Sequence, residues 1–188
     1  MKALKNLFLN ELAAMYDSEQ RITQALPKLI KAATCGKLRQ ALQHHLQEAE
    51  GHVTLIERVF AAFDEMPNAR KCPAMVGLLE EGDQIISQNK KSPAINEAII
   101  SVAQKIKHYG IASYGTLRAW AGKLDNEEAA NLLQEILDEE KEADHVLNDL
   151  AVAKNQEAFE EMEAAAWLHP TATLLKPYAA ADLLREGL

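Results

Sequence analysis

Apolar side chains recur along the first third of the chain at steps of three and four. Between residues 3 and 34, Leu4, Phe8, Leu12, Met15, Ile22, Leu26 and Leu29 keep that spacing, which gathers them on one stripe of a helix. The pattern predicts a long amphipathic helix, kinked at Pro27, where a backbone donor is missing, and stopped at Thr34-Cys35-Gly36 by the glycine. A second helix over 37–63 carries Leu38, Leu42, Leu46, Ala49, Val53, Ile56, Phe60 and Phe63 in the same register. The turn between them is short, so the two are expected to be antiparallel neighbours.

From 64 to 92 the pattern breaks. DEMPNARKCP is turn-rich, a shorter helix is expected over 74–88, and QNKKSP closes it. Ser92-Pro93 reads as N-cap and first helical residue of a third long helix, 93–122, with Ile95, Ile99, Val102, Ile106, Tyr109, Ser113, Leu117 and Trp120. Gly122 is its expected stop. Asp125 with Glu128 reads as a capping box opening a fourth long helix, 126–152, which carries Leu133, Ile136, Ala143, Leu147 and Leu150. Two hairpins of long helices joined by a crossover of about thirty residues predict an all-α, ferritin-like four-helix bundle over 1–155; an unrelated up-down bundle with a surplus helix is the alternative. Residues 156–188, interrupted by Pro170 and Pro177, read as a C-terminal extension or arm in which Trp167 and Leu168 could pack on a partner subunit.

Composition fits this picture. The 188 residues are 48% hydrophobic with only 8 Gly and 6 Pro, as expected for one packed domain of long elements with few turns. A net charge of −8 argues against nucleic acid and anionic membrane surfaces as partners. No apolar run reaches the roughly 18 residues of a membrane span and no signal peptide is evident, so a cytoplasmic protein is expected. Cys35 and Cys72 lack metal-ligand spacing and read as plain thiols.

Polar residues at positions where the helical period calls for apolar ones carry the chemical interest, because a buried carboxylate must be compensated. Glu19 interrupts the seam Met15, Ile22, Leu26, and Glu140 the seam Ile136, Ala143, Leu147, with Asp144 one turn later. On the second helix His45 and His52 lie near the centre of the apolar stripe and Glu48 at its edge. Carboxylates and imidazoles converging from several helices are what a di-iron or di-manganese centre requires. Glu142 and His145 have a Glu-x-x-His spacing, but they share a face with Glu135, Asp138 and Asp149 and read as a solvated stripe. The opposing explanation for the inward set is ordinary pairing, of Glu19 with Arg21 or with a lysine from another helix.

The stretches LFLNELAAMYDSEQRITQALPKL, HHLQEAEGHVTLIERVF, KCPAMVGLLEE, HYGIASYGTL and LDEEKEADHVLNDLA together resemble the YciE/YciF-like bacterial stress proteins of the ferritin-like superfamily, over residues 4–155. The resemblance implies a ferritin-like bundle, usually a homodimer, with a di-metal centre holding one or two iron or manganese ions. Carried over by position, the implied ligands are Glu19, Glu48, His52, Glu140 and Asp144. The third helix departs from that pattern, with Gly110 where an acid is usual and Lys107 where another is common, which leaves the ligand set one bridging carboxylate short. Two functions follow: metal-dependent oxidase or peroxide chemistry, or a degenerate, non-catalytic dimeric bundle serving as a structural or assembly module under stress. A hollow iron-storage cage is a third reading. Tyr114 and Trp120 are expected on the outside, available to a dimer partner.

Overall fold

The structure, a computed structural model, describes residues 1–168, with side chains described to residue 153. It is all-helical: α1 Lys2–Ala32, α2 Gly36–Ala61, α3 Pro73–Asn89, α4 Ile95–Lys123 and α5 Glu127–Leu168. Met1–Ala153 forms one compact unit. The extension expected over 156–188, with Trp167 and Leu168, lies outside the residues whose side chains are described. Among the described residues no helix is long and apolar enough to cross a membrane.

The core has two apolar layers, and their membership gives the direction of each long helix. One layer takes Phe8, Leu12 and Met15 from the first half of α1, Ile56 to Phe60 from the end of α2 with Phe63 just past it, Tyr114 to Ala121 from the end of α4, and Ala129 to Leu137 from the start of α5. The other takes Ile22 to Leu29 from the second half of α1, Leu38 to Ala49 from the start of α2, Ile95 to Ile106 from the start of α4, Met75 from α3 and Leu147 from α5. Thus α1 and α5 run one way and α2 and α4 the other. Since α2 and α4 are parallel, residues 62–94 must carry the chain back along its length, and α3 does so packed on α1 and α4.

The helix ends depart from the sequence expectations in instructive ways. Gly36 begins α2 and does not terminate α1; Ala33 is extended, and the 33–35 corner is clamped by Asn96, whose Oδ1 accepts from Thr34 and Cys35 N–H at 3.0 Å. A side chain from another helix therefore does the work assigned to glycine. Pro27 lies inside a helix that continues to Ala32. Ser92-Pro93 opens a turn, not the helix: Ser92 Oγ accepts from Ala94 N–H and α4 starts at Ile95. Gly122 stays helical, and Asp125, with φ 57°, is the left-handed residue; Asn126 N–H reaches back to Ala121 O and Asp125 N–H to Gly122 O, the paired closure of a Schellman turn. The cap of α5 is accordingly Asn126, whose Oδ1 accepts from Ala129 N–H, and not Asp125.

Candidate metal centre

Where the two apolar layers meet, each long helix inserts a polar side chain. Glu19 falls between Met15 and Ile22 on α1, His52 between Ala49 and Ile56 on α2, Lys107 between Ile106 and Gly110 on α4, and Glu140 between Leu137 and Leu147 on α5; all four are buried. Glu19, His52 and Glu140 each bring one ligand-type atom within 4.8 Å of the other two.

The hydrogen bonds fix what each group offers. His52 Nε2 lies 2.9 Å from Glu139 Oε2; a carboxylate accepts only, so Nε2 carries the hydrogen. Nδ1 then points inward, 3.7 Å from both Glu19 Oε2 and Glu140 Oε1. Tyr114 OH donates to Glu19 Oε1 at 2.6 Å, and the Lys107 ammonium donates to Glu140 Oε1 at 2.7 Å. Glu19 Oε2 and His52 Nδ1 have no hydrogen-bond partner. Two buried lone-pair atoms facing each other are a repulsive pair unless a proton or a cation lies between them.

Charge in this layer is finely balanced. Burial pushes the Glu140 carboxyl up, the Lys107 ammonium pulls it down and Glu19 raises it again, leaving it at about 7. Burial presses His52 toward neutrality, but the neighbouring carboxylates of Glu19, and then Glu140, outweigh it and hold its imidazolium above the ordinary range. The Tyr114 phenol, fully buried and beside Glu19, is held well above its usual range and remains a donor.

Gly110 is explained by Glu140. A Cβ built on Gly110 would overlap Glu140 Oε2 and lie 3.1 Å from its Cδ. The α5 carboxylate thus fills the space an α4 side chain would need. An acid at 110 and Glu140 in its present pose exclude one another.

Glu48 and Asp144 stand outside the compact group. Glu48 Oε1 lies 3.3 Å from exposed His44; Asp144 lies 3.4 Å from exposed His108 and accepts from Asn148 Nδ2. Glu142 and His145 are exposed, in keeping with a solvated stripe. Arg21 does not pair with Glu19; it holds Asp17 through two hydrogen bonds. Tyr114 corrects the sequence reading: it is fully buried at Glu19, not on the outside, while Trp120 is half-buried against the core. Lys107 and Tyr114 were legible only in part. On α4 the run Ala103, Lys107, Gly110, Tyr114, Leu117 keeps the three-and-four spacing, so the test that found Glu19 also selects Lys107.

Fold and site together define an all-helical protein with a buried Glu–His–Glu group able to hold a metal ion. The chain belongs to the family described as a domain of unknown function, DUF892, whose model matches residues 3–166. It is 41% identical over 153 residues to protein YciF of Escherichia coli K12, covering 81% of this chain and 92% of that one. Among solved structures it is similar to the E. coli stress protein YciF, with TM-score 0.74, 39% identity and coverage of 81% and 96% of the two chains. It is equally similar to YcfI of Rhodopseudomonas palustris, provisionally described as a structural protein, with TM-score 0.74, 38% identity and coverage of 77% and 92%. A Xanthomonas campestris protein, XCC3681, shares the fold at TM-score 0.67 and 16% identity, over 85% and 99% of the two chains.

Proposed function

We propose that this YciF-like protein is a ferritin-like four-helix bundle of the bacterial cytoplasm, working as a homodimer in stress response, whose interior takes one iron or manganese ion on Glu19, His52 and Glu140. The observation that carries this reading is the pair of buried, unpartnered atoms Glu19 Oε2 and His52 Nδ1, which face one space together with Glu140. Two carboxylates and one imidazole suit either metal, and Glu139 on His52 Nε2 is the outer carboxylate that orients a ligating histidine.

A two-metal centre does not fit these residues. Gly110 supplies no bridging carboxylate, Glu140 fills the space where one would stand, and the Lys107 ammonium already neutralises Glu140. A bound ion would supply one-electron exchange with oxygen or peroxide. The chain's own residues contribute orientation: Tyr114 fixes Glu19, Glu139 fixes the His52 tautomer, and the apolar layers on both sides keep water away.

Calorimetric titration of metal-free protein with manganous ion, and anaerobically with ferrous ion, tests the reading. One ion per chain is expected, lost on Glu19→Ala and retained on Glu48→Gln and Asp144→Asn; two ions per chain would overturn it. The second reading, a non-catalytic structural or assembly module, is favoured by the Lys107–Glu140 ion pair, which neutralises Glu140 without metal and leaves Glu19 to the His52 imidazolium. No binding of either ion, with Glu19→Ala protein still active in stressed cells, selects it.

A further inference from the structure

A second polar feature lies on α2 away from the Glu–His–Glu group. His45 is 3% exposed, and neither of its ring nitrogens has a hydrogen-bond partner. Burial first, then the positive charge of Lys107, holds it well below the ordinary histidine range, so the ring is neutral with one N–H and one lone pair. A buried polar group left unpaired costs about 1–3 kcal/mol, and His45 leaves two. Native interiors answer such groups with a ligand or ordered water.

The space for one is present. His45 and Glu48 border a cavity of about 40 Å³ between α2 and α5, walled by Leu42, Ala143, Val146 and Leu147, with exposed His44 and Glu142 also lining it. Glu48 leaves its buried Oε2 unpaired, while its Oε1 rests against exposed His44 at the rim. By the same measure one water needs roughly 10–15 Å³, so the cavity takes one to three heavy atoms and no larger organic ligand. Lys107 disfavours a cation beside His45, and the carboxyls of Glu48 and Glu142 disfavour an anion, which leaves a neutral guest.

We propose that the His45–Glu48 cavity is a binding site for a small neutral oxygen ligand with hydrogen-bonding capacity at both ends, of the size of water or hydrogen peroxide. The guest donates to the bare His45 nitrogen or accepts from its N–H, and bridges to Glu48 Oε2. The site does not depend on a metal at Glu19, His52 and Glu140. It lies two turns along α2 from His52, about 10 Å by helical rise.

High-resolution crystal structures of the full chain, native and briefly soaked in peroxide, test the proposal together with ¹⁵N-histidine spectra of metal-free protein. Density within hydrogen-bond distance of both His45 and Glu48 is expected; a single atom in both crystals assigns water, and a two-atom feature after soaking assigns peroxide. In the second case peroxide also moves the His45 ring nitrogen resonances and leaves those of exposed His145 in place. His45→Gln, which keeps a donor and an acceptor, should retain the guest, and His45→Leu should lose it. An empty cavity in both native and soaked crystals would overturn the proposal.

Discussion

His45 and His52 stand two turns apart on one face of α2, both buried, in surroundings of opposite character. His52 is ringed by Glu19, Glu139 and Glu140, and its proton affinity rises despite burial. His45 faces leucine, alanine and valine with the carboxyls of Glu48 and Glu142 at the edge, and its proton affinity falls. Burial by itself therefore does not set a histidine's chemistry; what separates His52 from His45 is the carboxylate acceptors that α1 and α5 deliver to it. α4 contributes differently at the two levels. Near His52 it supplies Lys107 and removes a side chain at Gly110, so the charged layer closes on itself.

The largest test of that contrast is Lys107→Met. Losing the ammonium bonded to Glu140 leaves a buried carboxylate without its partner, and a loss of about 3–5 kcal/mol in urea unfolding is expected. Replacing both partners, Lys107→Met with Glu140→Leu, should recover most of that. A loss below about 1 kcal/mol for the single variant would mean that Glu140 is buried neutral, and that the layer at His52 is no more charged than the one at His45.

Tyr114→Phe comes next. It removes the donor to Glu19 Oε1 and leaves a second unpaired oxygen on a buried carboxylate, an expected loss of about 1–3 kcal/mol. If a metal ion occupies the group, adding manganous ion should narrow the difference from wild type, because the ion satisfies Glu19 directly; an unchanged difference counts against the single-ion reading.

Gly110→Ala sharpens the role of α4. Alanine in a helix interior ordinarily gains about 1 kcal/mol over glycine, but here the new Cβ meets a Glu140 side chain held by Lys107. A net loss of about 1–2 kcal/mol is expected from the displaced carboxylate. In a Glu140→Ala background the sign should reverse to a gain of about 1 kcal/mol. The same sign in both backgrounds would show that Gly110 answers to something other than Glu140.

How far the sequence reaches follows from these residues. Apolar spacing located every long helix, because each has one wet face and one dry face. The seam test found Glu19, His52 and Glu140, because an acid inside an apolar stripe needs a partner whatever the fold. It was silent on the partners themselves: that Tyr114 reaches Glu19, or that Glu140 fills the place of a residue 110 side chain, depends on how the helices are turned about their axes. Helix ends failed for a similar reason, since Asn96 clamps the 33–35 corner from more than sixty residues away and no local rule anticipates it.

The pH dependence of stability separates the two histidines by sign. For His45 the folded-state affinity is depressed, so the unfolded chain binds the extra proton, and stability must fall as pH drops below the unfolded value of about 6.5. Lys107, His52 and His44 all add positive charge around it, which strengthens that direction. From pH 7 to 5.5 the wild type should lose about 1 kcal/mol through this residue, and His45→Phe should not show that component. His52, with raised affinity, works the opposite way: its contribution is full below about 6.5 and is lost as pH rises through its folded value. Urea unfolding of wild type and His45→Phe at the two pH values gives the His45 share as a difference. Equal pH dependence in the two proteins would mean that His45 is not held neutral, and the contrast between the two levels of α2 would fail.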